Sequence, residues 1–380
     1  MPKLKIDLSL TILPKNQKVF MVRPGSNYHL YNQFKINSVI APDVPFLTLD
    51  DATSPARRGD IQLQLARAVA YRAWQKQSKQ KRAVRPPKDI NSYALDLHSS
   101  LQSRTRLYNV TEKILWSLPT GAVIFVPASS LYGNALIGEL ASNKEDRVDF
   151  FGDEYRRFIS YKGRKLYNME SFAMRNFPPE VTDIAKSPSV VQEYSGYAKE
   201  RILRSYYGDY QLGSDVAMME FEALEDKFDP ITMARITALA ASIEHYEQTG
   251  NFISPGDILF SLTGQGNLEI HATINSKNGK LLVEGVKKVP HVLRALLLAA
   301  SLVVSGVATA DEVAALLEGG DIRVYNTKEI NKSEYVQATE NSLINFAQAA
   351  GFSSTKEYIE ALAQSSKRTS GHVDGDAKIE

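Results

Sequence analysis

Two stretches of the chain gather side chains that could hold a polyanion. The first runs through Arg72, Lys76, Lys79, Lys81, Arg82 and Arg85 to Lys88, and no Asp or Glu falls within residues 72–88. Cations near a helix C-terminus complement the helix dipole, but a few suffice for that. The excess points to phosphate neutralisation, which an uncompensated Lys/Arg run performs by releasing counterions. The second stretch, residues 153–178, carries Arg156, Arg157, Lys162, Arg164, Lys165 and Arg175. These interleave with Tyr155, Phe158, Tyr161, Tyr167, Phe172 and Phe177. Cations pair with phosphates, while exposed rings stack on unpaired bases. The competing reading puts alternate rings in the core with the basic residues on their solvent side.

Catalytic patterns are sparse. The chain has no cysteine, which excludes disulfides, thiolate catalysis and cysteine zinc sites. His29, His98, His245, His271, His291 and His372 include no pair at the i, i+4 spacing of a helical zinc site. No Gly-rich loop ends in Gly-Lys-Ser/Thr, and no Gly-x-Ser-x-Gly elbow occurs. Gly264-Gln265-Gly266 reads as a turn between strands. Asp257 followed by Glu269-Ile270-His271 comes nearest to the acids of a magnesium nuclease. Histidine stands where such a site wants lysine, and acids at strand ends are common. No cofactor and no metal are expected.

The 380 residues, 43% of them hydrophobic, suit two or three domains of ~150 residues each. The net charge is only +2, so any preference for nucleic acid must come from clustering. Residues 1–7 show no secretory pattern. The most apolar segment, residues 292–308, is shorter than the ~20 residues of a membrane span and reads as a core helix. A cytoplasmic protein without a membrane contact is expected.

The elements that would position these residues centre on residues 116–152. Residues 122–126, 135–140 and 147–151 read as three strands of a meander, with Gly138 marking a bulge or close backbone approach. Before them, residues 3–13 alternate as one half-buried strand and residues 18–23 form the next. Residues 24–27 make a polar turn beside Tyr28, His29, Tyr31 and Phe34. Ile61, Leu65, Val69 and Ala73 form a helical stripe, and residues 91–117 a second helix. Beyond the meander, residues 178–188 read as a linker and residues 189–210 as a tyrosine-rich helix. A helix starting at Asp229-Pro230 follows. The last unit combines a hairpin at Asn278-Gly279 with the apolar helix, a helix over residues 309–317 closed by Gly319-Gly320, and a final strand. Two short helices lie within residues 340–363.

The fold class is therefore α+β. Residues 1–178 form a β-rich domain with inserted helices and a basic, aromatic surface. Residues 179–250 form a helical middle segment, residues 251–364 a small α+β domain, and residues 365–380 a disordered tail.

The first half resembles the non-catalytic N-terminal β domain of Mrr-type restriction proteins. Val19-Phe-Met-Val-Arg-Pro-Gly25 is similar to that family's opening strand. Residues 114–127 resemble its helix leading into a Gly-Asp-x-Val strand, and Ala135-Leu-Ile-Gly-Glu-Leu140 with Arg147-Val-Asp-Phe-Phe151 its closing strands. Ala122 replaces the Asp expected after Gly121, and the nuclease half has no counterpart. The resemblance implies a DNA-associated or defence-system role and carries over no active site.

Together these readings lead to a non-enzymatic nucleic-acid-binding subunit that also associates with other subunits or with itself. A protein-interaction subunit without nucleic-acid contact and a divergent metal nuclease using Asp257 and Glu269 remain the alternatives.

Overall fold

The computed structural model describes residues 2–47, 58–76, 101–141, 147–154, 157–213, 216–222, 230–254, 257, 269–273, 280–286, 289–328, 334–368 and 375–380. It is an α+β structure in two compact units, one made of Met1–Asn16 with Tyr207–Glu380 and the other of Gln17–Tyr206. The division differs from the one that composition shifts mark, because the first strands pair with elements more than 190 residues away. We call Gln17–Tyr206 the inserted unit and the rest the framing unit.

The chain opens with β1 (Leu4–Asp7) and β2 (Thr11–Leu13) of the framing unit. The period-two pattern predicted one strand. Ser9 interrupts it with φ at 43°, so that β1 and β2 enter different sheets.

The inserted unit follows. It comprises β3 (Val19–Val22), α1 (Tyr31–Asn37), β4 (Val39–Ile40), α2 (Arg58–Lys76), α3 (Leu101–Glu112) with a π turn over Lys113–Ser117, β5 (Val123–Val126), β6 (Asn134–Leu140), β7 (Arg147–Glu154), β8 (Arg157–Ala173), α4 (Pro179–Lys186), β9 (Val191–Tyr194) and α5 (Gly196–Tyr207). The strands run in the order β4-β8-β6-β5-β3-β9, and β7 pairs with β8. β5 and β6 pair as the predicted meander requires, but its third strand, residues 147–151, falls in β7, which pairs with β8 and not with β6; β8 takes the place beside β6. β3 and β5 are parallel; the remaining ladders of this sheet are antiparallel. The register between β6 and β8 shifts at Gly138, where an added Cβ would sit 3.1 Å from the Tyr167 carbonyl oxygen. That close approach is the reason for glycine there.

Alternation divides the sheet into two apolar faces. Phe20, Val22, Ile124 and Val126 pack with Leu65 and Tyr71 of α2, Tyr108 of α3 and Phe34 of α1. On the other face Phe125 meets Phe177 and Tyr194 edge-on. Two expectations are corrected in this region. Residues 178–188 are not a linker but hold α4, whose Pro179 occupies the first turn, where a missing N–H costs nothing. Residues 189–210 do not form one helix, because Val191 starts the edge strand β9 before α5 begins.

The framing unit resumes with β10 (Tyr210–Leu212), β11 (Val216–Glu222), α6 (Pro230–Thr249), β12 (Glu269–Thr273), β13 (Lys280–Val286), α7 (Val289–Val304), α8 (Ala310–Gly319), β14 (Ile322–Tyr325), α9 (Glu334–Arg368, kinked at Gly351) and β15 (Asp376–Ile379). One sheet has the order β14-β1-β15 and the other β12-β13-β11-β10-β2. The predicted hairpin is present, with Thr273 opposite Lys280. Thr309 caps α8 through a capping box with Glu312, and Gly320 closes it in the left-handed conformation. The described residues at either end of the 365–380 stretch, expected as a disordered tail, are ordered: α9 continues to Arg368, and β15 pairs along β1.

The apolar segment is the core helix α7. Its Arg294 is 1% exposed, donates to the Leu8 carbonyl at 2.8 Å and pairs with the carboxylate of Asp209. A charge survives in such a core only when it is paired. Asp209→Ala should therefore destabilise the protein by about 3–5 kcal/mol, the cost of stranding a buried partner. Urea denaturation checks this, and a loss below 1 kcal/mol would show that the pair is dispensable.

Candidate nucleic-acid interface

The sheet register brings four connections to one end of the inserted unit. β3 and β5 are parallel, so both exit there, into residues 23–30 and 127–133. β9 is antiparallel to β3 with Val191 opposite Val22, which puts residues 187–190 at the same end. β8 is antiparallel to β6 with Ala173 opposite Asn134, which adds residues 174–178. Direct bonds tie the connections together. Tyr31 donates its hydroxyl to the Asn134 carbonyl, Met174 N–H donates to Gly133 O at 3.0 Å, and Arg23 N–H donates to Val190 O at 2.8 Å.

These four connections contain no Asp or Glu. They carry Arg23, His29 and Arg175 among Ser26, Asn27, Ser129, Ser130, Tyr132, Asn176 and Ser189. Ser26, Asn27, Ser129, Ser130, Arg175, Asn176 and Ser189 are exposed, and Tyr132 is 93% exposed. Such a surface offers hydroxyls, amides, a ring and a cation without a carboxylate to repel phosphate.

The motif Arg23-Pro24-Gly25 builds this end. One Arg23 arm donates to Ala185 O at 3.0 Å and to Ser187 O, capping the C-terminus of α4 and fixing the segment before β9. Gly25 has φ at 73°, and a Cβ there would lie 2.5 Å from His29 Cε1, so both conformation and space require glycine. Asn27 and Tyr28 follow with φ at 53° and 60°, a strained turn that needs bracing.

The brace is a half-buried cluster backed by the buried Tyr161. Asp43 accepts from Ser26 N–H and Oγ, each at 3.0 Å, and pairs with Arg72. Arg72 also donates to Tyr161 Oη at 2.7 Å. His29 Nδ1 lies 2.7 Å from Ser26 O, and Nε2 faces Asp43 Oδ1 at 3.3 Å and Arg72 Nη2 at 3.0 Å. Both ring nitrogens are occupied, so the imidazole is a strut and not a general base. Burial would raise the Asp43 carboxyl, but His29, the Arg72 charge and the Ser26 N–H outweigh it and hold it well below the usual range.

Beside this end, α3 and residues 188–191 enclose a cleft of about 790 Å³ lined by Thr105, Arg106, Asn109, Lys113, Ser189 and Val190, among others. Among the described residues its lining holds two cations and no carboxylate. The volume is within the usual range of ligand sites. Arg106 Nη2 donates to Pro188 O at 3.1 Å, while the Lys113 ammonium lies 5.9 Å from the Phe20 ring centre.

The sequence-predicted cations fall elsewhere. Arg72 belongs to the internal brace and does not project as a surface cation. Arg164 is 8% exposed and donates to Leu118 O at 2.8 Å, holding the end of the π turn. Lys162 pairs with Asp149 at 3.2 Å and is 11% exposed. Lys165 is exposed and lies 5.5 Å from the ring centre of Tyr167, itself 41% exposed, at the middle of β8, beside the end of β6 that lies away from the four connections. Lys76 and Arg157 occupy α2 and β8 by backbone. Lys79, Lys81, Arg82, Arg85 and Arg156 lie outside the described residues. Tyr161 and Phe177 are buried, which is the core reading of those rings. Asp257 stands in a helical turn, not on a strand, and accepts from Ser254 Oγ at 2.7 Å. Among the described residues no group of three His, Asp or Glu could hold a metal.

Comparison of the chain with models of known families, with curated proteins and with solved structures gave no match. No helix among the described residues is long and apolar enough to cross a membrane.

Sequence reasoning passed over Arg23, Arg106, Lys113, Leu131, Tyr132 and Ser189. The available signal was the absence of carboxylates from four separate turns.

Because the Asp43 carboxyl is depressed in the folded state, its contribution is present above the unfolded pKa of about 4 and is lost as pH falls toward the folded value. Asp43→Asn should cost about 3 kcal/mol at neutral pH. It should also flatten the fall in stability below pH ~4, read by urea titration across pH. Parallel wild-type and variant curves would contradict the role of this carboxylate.

Proposed function

We propose that the inserted unit binds a nucleic-acid strand across its four-connection end and the adjoining cleft. The protein then serves as a non-enzymatic, cytoplasmic nucleic-acid-binding subunit. The observation that carries this reading is the convergence of four carboxylate-free connections on a sheet end flanked by a cleft with two cations. A chain with net charge +2 has no general attraction for polyanions, so local sign matters most. Arg106 and Lys113 lie seven residues apart on one helical stretch, about 10 Å along the axis. They can neutralise separate phosphates of one strand, while Ser, Asn and Thr side chains supply neutral contacts to phosphate and sugar. The resemblance of residues 19–25 and 114–151 to the Mrr-type N-terminal domain supports a DNA-associated role.

A protein-interaction role is the second reading, favoured by Ile36, which is 75% exposed on α1. Light scattering separates the two: a stable self-assembly indifferent to nucleic acid supports the protein-interaction role.

Arg106→Gln, Lys113→Gln and Arg175→Gln should each weaken binding to all sequences and lower the log–log salt slope by ~0.7–0.9. Lys165→Gln, midway along β8 and away from the four connections, should leave the slope unchanged. Fluorescence anisotropy across a salt series reads both. An unaltered slope in the triple variant would remove this reading.

A further inference from the structure

The connection between β5 and β6 ends in an apolar tip. Tyr132 is 93% exposed and Leu131 beside it is 46% exposed. The tip is anchored on three sides. Gly133 N–H donates to Ser130 O at 3.1 Å within the turn. Met174 N–H reaches Gly133 O at 3.0 Å from the end of β8, and Tyr31 bonds Asn134 O from α1. Gly133 also closes the turn tightly, since a Cβ there would stand 2.7 Å from Ala128 Cβ. The ring is therefore presented on a fixed support, which reduces the ordering cost of an association. The nearest chain to this anchor carries exposed Arg175, adjacent to Met174.

A solvent-facing ring on one connection and an exposed guanidinium on the connection bonded to it, neither connection carrying a carboxylate, match the two halves of a nucleotide. The cation meets the phosphate and the ring meets the base. We infer that Tyr132, flanked by Leu131, stacks on an unpaired nucleobase of the bound strand, so that the protein prefers single-stranded or locally unpaired nucleic acid to perfect duplex. This rests on the nucleic-acid reading above and names the form of the ligand. A base in a perfect duplex has both faces covered by its neighbours, so the ring gains a partner only where a base is free. Stacking of this kind is tolerant of base identity, because every base has a π-face.

Three probes test it by anisotropy: a single-stranded DNA of about 20 nucleotides, its perfect duplex, and the duplex with one unpaired 2-aminopurine. Because Tyr132 is so exposed, its replacement leaves the fold intact, which circular dichroism confirms. Tyr132→Ala should weaken the single strand and the bulged duplex about 5- to 100-fold, in keeping with the usual worth of one stacked base. It should leave the perfect duplex within about twofold and the salt slope unchanged, since no phosphate contact is lost. Tyr132→Trp should retain affinity and quench the 2-aminopurine. Equal loss on all three probes, or no loss on any, overturns the stacking inference while leaving the nucleic-acid reading in place. Wild-type protein that binds none of the probes at low salt overturns both. A Tyr132→Ala variant that changes only the mass in light scattering assigns the tip to a protein contact.

Discussion

The parallel pairing of β3 with β5 is the constraint on which the inserted unit depends. It is the parallel ladder in a sheet otherwise paired antiparallel. A parallel neighbour needs a long crossover, and residues 23–122 supply it with α1, β4, α2 and α3. Those helices cover one face of the sheet and make its core. The same pairing sends both strands out at one end, where their antiparallel partners β9 and β6 begin. Four connections from distant parts of the sequence therefore meet.

Each connection is then fixed by a few polar contacts. Arg23 caps α4 and positions residues 187–190. Asp43, His29, Arg72 and Tyr161 hold the strained turn at Gly25, Asn27 and Tyr28. Tyr31 and Met174 hold the Tyr132 tip. Most of the buried charge in this region therefore serves geometry. The groups left facing solvent are neutral donors and acceptors, the Tyr132 ring and a small number of cations.

Much of the local structure was legible because it follows from short-range chemistry. The strands of residues 122–151, the bulge at Gly138, the cap at Thr309 and the core character of residues 292–308 each rest on periodicity or on a turn residue. What sequence left hidden was long-range pairing. β1 recruits β14 and β15 from more than 300 residues away, so the N-terminal strand belongs to the framing unit and the final residues are ordered on it. The site was hidden for the same reason. Arg72 and Arg164 look like surface cations in one dimension, yet Asp43, Tyr161 and the carbonyls of Ile114 and Leu118 claim them in three. Tyr132 drew no notice, because a lone tyrosine in a Ser/Gly turn has no periodic signature.

The most direct test of the account is photo-cross-linking from a single-stranded DNA bearing photoreactive thymidines, with the linked peptides mapped by mass spectrometry. The account predicts cross-links in residues 23–30, 127–134, 174–178 and 187–190, with Tyr132 among the modified side chains. Cross-links confined to the framing unit, or to Lys165–Tyr167 at the middle of β8, would contradict it.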